Sequence, residues 1–308
     1  MTSARDLAEL VRLPAALTVP GDTLAGAAAA GWPGGARTAL LPAASACLYW
    51  AGMALNDYAD RDLDAVERPE RPIPSGRVSP RLALGVGVVL TAAGLGLAAA
   101  VSRRHLAVAA ALASTVWAYD LLAKPTVLGP VVMAANRGLD VALGAAGNVR
   151  PALPAALTLT AHTVAVTALS RGEVTGTSPA VARAALATTA VAAAAAALPA
   201  PRTAPRTGPR TGPRTGSRTT AALGGAPLSR VAAAGLAATY AWTVGRAQLD
   251  AARRPDAPTV RRATGVGIRG MIPLQSALTA RAGALPAAAA VLAVGPLARL
   301  ATRRLSPT

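Results

Sequence analysis

Cysteine, histidine and phenylalanine are almost missing from this chain of 308 residues, which has one cysteine, two histidines and no phenylalanine. A lone cysteine, Cys47, excludes an internal disulfide, and no group of cysteines and histidines has the spacing of a metal site. Aromatic residues reach only 3%, although the net charge is +17. Nucleic-acid binding is usually indicated by basic residues interleaved with aromatics on one polar face, and that pattern does not occur here. We therefore expect no nucleic-acid partner and assign the positive charge to contact with anionic membrane lipids.

Apolar residues are abundant: they make up 53% of the chain, and its mean hydropathy is +0.41. Apolar runs of about 20 residues with few charges are long enough to cross a bilayer. Several such runs occur, so we predict a single all-α, multi-pass transmembrane domain over residues 1–308. The predicted spans are 10–31, 36–56, 82–101, 105–123, 127–147, 152–170, 180–199, 228–250 and 264–302, the last breaking near Gly283.

The N-terminal segment reads as the start of the first helix. It carries acids and two arginines before its apolar part, and no small-residue cleavage site follows a short apolar stretch. Alternation of the spans then places the loops 57–81, 124–126, 171–179 and 251–263 on the same side as the N-terminus. This side holds ten of the fourteen acids and many of the arginines. The positive-inside rule makes it cytoplasmic, with the plasma membrane as the expected location.

The segment 201–219, PRTAPRTGPRTGPRTGSRT, repeats a four-residue unit and contains five arginines. Because proline and glycine at this density cannot pack, we predict a disordered Pro/Arg/Thr/Gly-rich loop insertion. Helix alternation puts this loop outside, against the positive-inside rule. Either a translocated loop tolerates the charge, or the helix count before it is off by one.

The stretch NDYADRDLDAVERPERPIPSG, residues 56–76, holds six of the fourteen acids. Asn56, Asp57, Asp60 and Asp64 are three, four or seven residues apart, which places them along one stripe of a helix. Carboxylates on one stripe repel one another unless a cation lies among them, and hard oxygen ligands favour Mg²⁺ completed by water and substrate phosphates. The alternative is a solvated helix end paired with its own arginines.

Arginines follow the acids directly at positions 61, 68, 71 and 77. Guanidinium groups bind phosphate oxygens in bidentate fashion, so acids that hold a metal beside arginines that clamp phosphate indicate a diphosphate site. With an allylic diphosphate, such a site stabilises the departing pyrophosphate while a carbocation forms in an apolar cavity.

NDYADRDLD followed by RPIPSG resembles the N-D-x-x-D-x-x-x-D and R-P-x-P-S-G signatures of the UbiA superfamily of intramembrane prenyltransferases, and LVRLPAALTVPGDTLAG is similar to its first helix. The resemblance follows most of the chain in order. It implies a nine-helix bundle with a cytoplasmic cap over a central cavity, and Mg²⁺-dependent transfer of a prenyl group from an isoprenyl diphosphate to a small acceptor. The implied catalytic metal ligands are Asp57, Asp60 and Asp64 with Asn56, and the implied diphosphate ligands are Arg61 and Arg71.

Other parts of the family pattern are weaker. Tyr119 and Lys124 resemble the Tyr…Lys pair between its fourth and fifth helices, where the lysine would meet the diphosphate; an ordinary helix-end anchor is the alternative. The second acidic motif falls at LSRGEVTGTS, residues 169–178, which offers one acid, Glu173, beside Arg171. We expect Glu173 to be the second metal-site acid and Arg171 to contact substrate, and a second metal is left open.

Polar residues also interrupt the apolar spans, in NRGLD at 136–140 and in GIRGMIPLQ at 267–275. An unpaired charge in hydrocarbon is costly, so these groups are expected to be paired or functional. Asn136 and Gln275 are predicted to bind substrate, and a structural pair between Arg137 and Asp140 is the alternative for that segment. Together with SRGEVTG, these pieces resemble the EboC-like branch, whose acceptors differ from the usual hydroxybenzoate.

Three other functions compete with prenyl transfer. A CDP-alcohol phosphotransferase also uses membrane-embedded acids, but its D-G-x-x-A-R element is missing between these aspartates. A terpene cyclase on the same scaffold differs only in whether a second substrate captures the cation. The degraded second motif favours a third possibility, a catalytically impaired protein that binds lipid diphosphates. Acceptor, donor chain length and oligomeric state cannot be read from the sequence.

Overall fold

A computed structural model describes residues 2–13, 19–31, 39–199 and 219–305, and every regular element in these ranges is helical. The prediction of an all-helical fold is confirmed. The α-helices are α1 (Ala4–Leu10), α2 (Pro20–Ala29), α3 (Leu40–Ala59), α4 (Arg61–Glu67), α5 (Pro80–Val101), α6 (Arg103–Ala118), α7 (Gly129–Gly144), α8 (Leu153–Ser170), α9 (Pro179–Ala197), α10 (Thr219–Arg253), α11 (Ala257–Arg281) and α12 (Leu285–Leu305). A π-helix (Tyr119–Ala123) continues α6, and a 3₁₀ turn (Arg150–Ala152) precedes α8.

Local sequence explains most helix boundaries. The hydroxyls of Ser79, Ser102 and Ser178 accept hydrogen bonds from backbone N–H groups in the first turns of α5, α6 and α9, and proline follows the serine in α5 and α9. Gly283 has a φ of 86°, which separates α11 from α12 at the predicted break.

The first predicted span differs most from the structure. Instead of one helix over 10–31, the described residues form the short helices α1 and α2 on either side of 14–18, which lie outside the described part. Residues 200–218, which contain nearly all of the predicted disordered loop, also lie outside it; Thr219 begins α10.

Within the described residues, four helical segments are long and apolar enough to cross a membrane: Pro80–Val101, Arg103–Ala123, Arg150–Ser170 and Pro179–Ala197. Large apolar side chains such as Val88, Val89 and Val191 point outward from them. An outward-facing apolar surface of this kind is suited to lipid rather than water.

Small residues allow the helices to approach closely. A Cβ built on Gly26 would overlap the carbonyl oxygen of Val141, and one built on Gly144 would overlap the carbonyl oxygen of Thr23. The backbones of α2 and α7 are therefore in direct contact, which is the packing that glycine permits between membrane helices.

Connections that are far apart in sequence meet at one end of the bundle. Thr177 N–H donates to the Pro255 carbonyl at 2.9 Å, which joins the α8–α9 connection to the α10–α11 connection. The Arg171 guanidinium donates to the Thr126 carbonyl, and the Lys124 ammonium donates to Asp60. The loops predicted to share one side of the membrane thus do share one end of the bundle.

A layer formed by α4 and the 68–79 connection lies at this end, and α1 docks on it. Leu10, Ile73 and Val78 are buried there against Ala54 of α3 and Ala83 of α5. This layer corresponds to the cap that the family resemblance implied.

Candidate active site

Two buried carboxylates share one arginine where α3 meets the cap. Asp57 and Asp64 are only 3% and 1% exposed. Arg71 Nη1 lies 3.3 Å from Asp57 Oδ1 and donates to Asp64 Oδ2 at 2.5 Å, and Arg68 Nη1 lies 3.6 Å from Asp64 Oδ1. Asp57, Asp64 and Arg71, all predicted site residues, are therefore brought together.

The stripe predicted one continuous helix for the acidic run, but the structure divides the run between two helices. α3 ends at Ala59 and α4 begins at Arg61, with Asp60 between them. Helical hydrogen bonds continue across the junction, from Asp60 N–H to the Asn56 carbonyl and from Asp64 N–H to the Asp60 carbonyl. The expected spacing survives for this reason, although the helix is interrupted.

Arg12, which the sequence interpretation did not include in the site, also contacts this group. Its Nη2 donates to Asp57 Oδ1 at 2.9 Å, and its φ of 47° is unusual for a residue other than glycine. The only local signal was an arginine at the start of the first apolar segment. Its partner lies 45 residues away, so the pairing depends on the fold.

The position of Arg12 depends on α1, which Arg77 fastens to the cap. The Arg77 guanidinium donates to Asp6 at 2.8 Å, to both Glu9 carboxylate oxygens at 2.7 and 3.0 Å, and to the Glu70 carbonyl at 2.7 Å. Hydrogen bonds from Ser3, reinforced by Arg77, lower the pKa of Asp6 to about 2. The hydrogen bond from Arg77 likewise lowers the pKa of Glu9. Both carboxylates are therefore ionised near neutral pH and hold α1 in place.

The π-helix presents a second acid and the lysine to the same region. Its first residue, Tyr119, is half-buried, and the Tyr119 carbonyl accepts the Lys124 N–H at 2.9 Å. The Lys124 ammonium donates to Asp60, and Asn56 Nδ2 donates to Asp120 Oδ1 at 3.2 Å. π-helical turns inside α-helices often occur at functional sites. Asn56, Asp60 and Lys124 are thus brought together, with Asp120 as a participant that the site prediction omitted.

Three predicted site residues have other contacts. Arg61 donates to the Tyr58 carbonyl at 3.0 Å, lies over the Tyr58 ring and is 3.5 Å from the exposed Asp62. Arg171 donates to the Thr126 carbonyl. The backbone carbonyl of Glu173 accepts from Arg261 at 3.0 Å. Glu173 and Arg171 therefore lie at the correct end of the bundle, while Arg61 faces Tyr58 and Asp62.

Gln275 belongs to a separate polar group deeper in the bundle, and Asn136 directly precedes Arg137 of that group in sequence. Arg137 Nη1 donates to Asp22 Oδ2 at 2.6 Å, and Gln275 Nε2 donates to Asp22 Oδ1 at 2.7 Å. The alternative prediction paired Arg137 with Asp140. It is wrong, because Asp140 instead accepts a hydrogen bond from Ser45 at 2.7 Å. No local pattern indicated this pairing, because the partners come from α2, α7 and α11.

The deeper group is well separated from the first one. Ser45 precedes Asp57 by twelve residues on α3, or about 18 Å of helix. Among the described residues, Asn136 Oδ1 and Asp140 Oδ1 are buried without a hydrogen-bond partner. A buried pair such as Asp22 and Arg137 affects stability as well as function.

The residues at the α3–cap junction fit a divalent cation in one particular mode. No three Asp, Glu, His or Cys side chains of the described ranges converge closely enough to enclose a metal by themselves. Mg²⁺, however, usually takes one or two protein carboxylates and completes its shell with water and substrate phosphate. Asp57 and Asp64 already share one cationic nitrogen, so their oxygens can serve a common cation.

Comparison with known proteins matches half of this chain to one family. Residues 17–172 match the UbiA prenyltransferase family, a range that contains all of the junction residues except Arg12. A digeranylgeranylglyceryl phosphate synthase of Methanopyrus kandleri is 41% identical over 114 residues, or 37% of this chain and 42% of the relative. A 4-hydroxybenzoate octaprenyltransferase of Paracidovorax citrulli is 35% identical over 136 residues, or 43% of this chain and 46% of the relative. The matched part therefore spans less than half the length of these relatives.

A solved structure shares the fold. A UbiA homolog from Archaeoglobus fulgidus, bound to GPP and Mg²⁺, superposes with a TM-score of 0.56 over 89% of this chain and 99% of that one, at 12% identity. Because the family match covers half of the chain and contains the acidic run and Lys124, the chain belongs to the UbiA prenyltransferase family.

Proposed function

We propose that this protein transfers a prenyl group from an isoprenyl diphosphate to a small acceptor within the membrane, and that the reaction depends on Mg²⁺. The observation that carries the proposal is the sharing of Arg71 between the buried carboxylates of Asp57 and Asp64. Burying two carboxylates is costly unless they are paired and hydrogen-bonded. A diphosphate site accounts for this costly arrangement, because it needs carboxylates to hold a metal ion and cationic groups to bind phosphate.

Charge balance supports the same conclusion. Four carboxylates of the junction, Asp57, Asp60, Asp64 and Asp120, contact or face four cations, Arg12, Arg68, Arg71 and Lys124. The group is close to neutral as it stands. A diphosphate adds negative charge, so its binding requires further positive charge at the same place.

We assign the roles as follows. Asp57 and Asp64 would hold Mg²⁺, with Asn56 and Asp60 beside them and Glu173 as the acid of a second site. Arg12, Arg71 and Lys124 would release their carboxylates and bind phosphate oxygens. Bound Mg²⁺ would offset the charge of the leaving pyrophosphate. Arg61 and Arg171 would need to leave their present partners to reach a phosphate, and Tyr119 would line the site beside Lys124.

The acceptor is not specified by family membership, since the relatives' names include both a glyceryl phosphate and a hydroxybenzoate substrate. Asn136 and Gln275 are proposed to contact the acceptor or the far part of the prenyl chain. The cytoplasmic face of the plasma membrane is the proposed location of the site, from the arginine distribution. The EboC-like resemblance stays a prediction.

One observation favours a second candidate function. Glu173 is a single acid at the position of the family's second acidic motif, where several acids are expected. Its contact with Arg261 is made through its backbone carbonyl. A protein that binds isoprenyl diphosphates without turning them over would need only the first motif.

One assay distinguishes prenyl transfer, terpene cyclisation and diphosphate binding without turnover. Protein purified in detergent would be incubated with labelled geranylgeranyl diphosphate and Mg²⁺, with and without a cell extract that supplies acceptors. We expect pyrophosphate and a new lipophilic product only with extract. Release without extract would indicate a terpene cyclase, and binding without release in either case would indicate the impaired binder.

The matched variants are Asp60→Ala and Asp62→Ala. Asp60 contacts Lys124, whereas the Asp62 side chain is 87% exposed and contacts only the neighbouring Arg61 in the described residues. Asp60→Ala should abolish release, and Asp62→Ala should leave it near the wild-type rate. Full turnover by Asp60→Ala would remove the role assigned to that aspartate.

A further inference from the structure

A groove lies between α10 and α11 at the same end of the bundle as the proposed active site, but on different helices. Its volume is about 220 Å³. Its lining residues are Ala247, Asp250, Arg254, Pro258, Thr259 and Arg262. None of these residues takes part in the site at the α3–cap junction.

The chemistry of the lining suits a phosphate. Arg254, which directly follows the last residue of α10, and Arg262 of α11 are both exposed, so their guanidinium groups can approach one anion from two directions. Thr259 adds a hydroxyl. Asp250 is the only acid in the lining, and a carboxylate beside a phosphate site accepts hydrogen bonds from a hydroxyl or ammonium group attached to that phosphate.

The surroundings indicate a membrane lipid as the source of this phosphate. Trp242 is 65% exposed two turns before Asp250 on α10, and the Arg246 guanidinium lies 4.9 Å from its ring. Ile268 of α11 is 59% exposed. Exposed tryptophan with a neighbouring arginine is typical of the level of lipid headgroups, and exposed isoleucine indicates contact with acyl chains.

The size of the groove suits a headgroup rather than a whole lipid. Its volume of about 220 Å³ is smaller than that of a typical small-molecule pocket and leaves room for a phosphate and a few attached atoms. The acyl chains would therefore lie outside the groove, along the exposed apolar surface of the two helices.

From these observations we infer that the α10–α11 groove binds the headgroup of an anionic phospholipid, with Arg254 and Arg262 on the phosphate and Asp250 on a hydroxyl of the headgroup. Phosphatidylglycerol has this combination of groups. The site is independent of prenyl transfer, so its test is a binding measurement that succeeds or fails whatever the enzymatic activity proves to be.

The test compares two double variants of the full chain. Arg254→Gln/Arg262→Gln removes both guanidinium groups from the groove. Arg81→Gln/Arg183→Gln removes the same charge from exposed positions near the beginnings of α5 and α9, which the α3–α5 and α8–α9 connections place at the same end of the bundle. Each protein would be reconstituted in phosphatidylcholine nanodiscs with graded amounts of phosphatidylglycerol, and bound phosphatidylglycerol would be counted by native mass spectrometry.

We expect the groove variant to bind phosphatidylglycerol about ten- to thirtyfold more weakly than wild type, and the control to match wild type. Equal binding by all three proteins, or equal losses in both variants, would overturn the proposal. If the groove variant does not fold, the two single arginine variants decide the question in the same assay.

A second arm separates lipid from free anion. Inorganic phosphate in excess should leave phosphatidylglycerol bound, because the acyl chains add contacts that the free anion lacks. Complete displacement by inorganic phosphate would show a site for a soluble anion and would overturn the assignment to lipid.

Discussion

Arg137 and Asp22 form an ion pair of 2.6 Å inside the helical bundle, although 115 residues separate them in sequence. Asp22 is fully buried, and its other carboxylate oxygen accepts from Gln275. The pair and this hydrogen bond therefore link α2, α7 and α11 around a carboxylate that is fully removed from solvent.

Removing only one member of this pair should be costly. We expect Arg137→Met to lower the free energy of unfolding by about 3 kcal/mol, because it leaves a buried carboxylate without its counter-ion. The double variant Asp22→Asn/Arg137→Met should recover most of that loss. Thermal unfolding in detergent measures both, and a double variant as unstable as the single would show that the pair is not the cause.

The shared contacts of Arg71 give a prediction about activity. Arg71→Gln removes a charged hydrogen bond from Asp64 and the nearby charge from Asp57, so kcat/KM for the diphosphate should fall by about ten- to hundredfold. Asp64→Asn should produce a loss of similar size. Asp62→Asn, whose side chain lies in solvent, is the control. Comparable losses in all three variants would indicate a general effect on the acidic run.

Close contact between α2 and α7 predicts a difference between two glycines. Gly26→Ala forces a methyl group onto the Val141 carbonyl and should destabilise the protein by about 1–3 kcal/mol. A Cβ on Gly96, in the C-terminal part of α5, meets nothing within 4 Å, so Gly96→Ala should be neutral or slightly stabilising. Unfolding midpoints of the two variants provide the measurement.

Acid should release α1 from the cap. The pKa of Asp6 falls from 3.8 to about 2 in the folded protein, mainly through hydrogen bonds from Ser3 and then from Arg77. A carboxylate with a lowered pKa stabilises the fold at pH values above its unfolded pKa and loses that effect as pH drops toward the folded one. Docking of α1 should thus weaken between about pH 4 and pH 2.

Limited proteolysis near residue 12 across this pH window would detect the release, using an acid-active protease. Asp6→Asn should be cleaved near residue 12 already at neutral pH, as expected for a released α1. Cleavage that does not change with pH in wild type would mean that Asp6 does not control the position of α1.

Sequence patterns predicted some features of this protein well because those features are local. Apolar runs located most of the helices, serine and proline marked their beginnings, and Gly283 marked a break. The acidic run identified Asp57 and Asp64 because both acids lie within eight residues of one another. The arginine that they share follows in the same segment.

Other features could not be predicted, because they depend on which helices become neighbours. Arg12 reaches Asp57 only after α1 docks on the cap, and Arg137 meets Asp22 rather than the nearby Asp140. The family resemblance implied a diphosphate contact for Arg61, yet the turn at Asp60 directs this side chain toward Tyr58. In each of these cases, the direction of the backbone determines which side chains meet.

The π-helix at Tyr119–Ala123 contains one residue more per turn than the α-helix that it continues. Deleting a single residue there would let the segment relax into a regular α-helix. Everything beyond it would turn by about 100°, and Lys124 would swing away from Asp60 although no charged group had been changed. The pairing of this lysine is thus encoded by the number of residues in the turn as much as by their identity, so insertions and deletions at this point deserve the same scrutiny as substitutions.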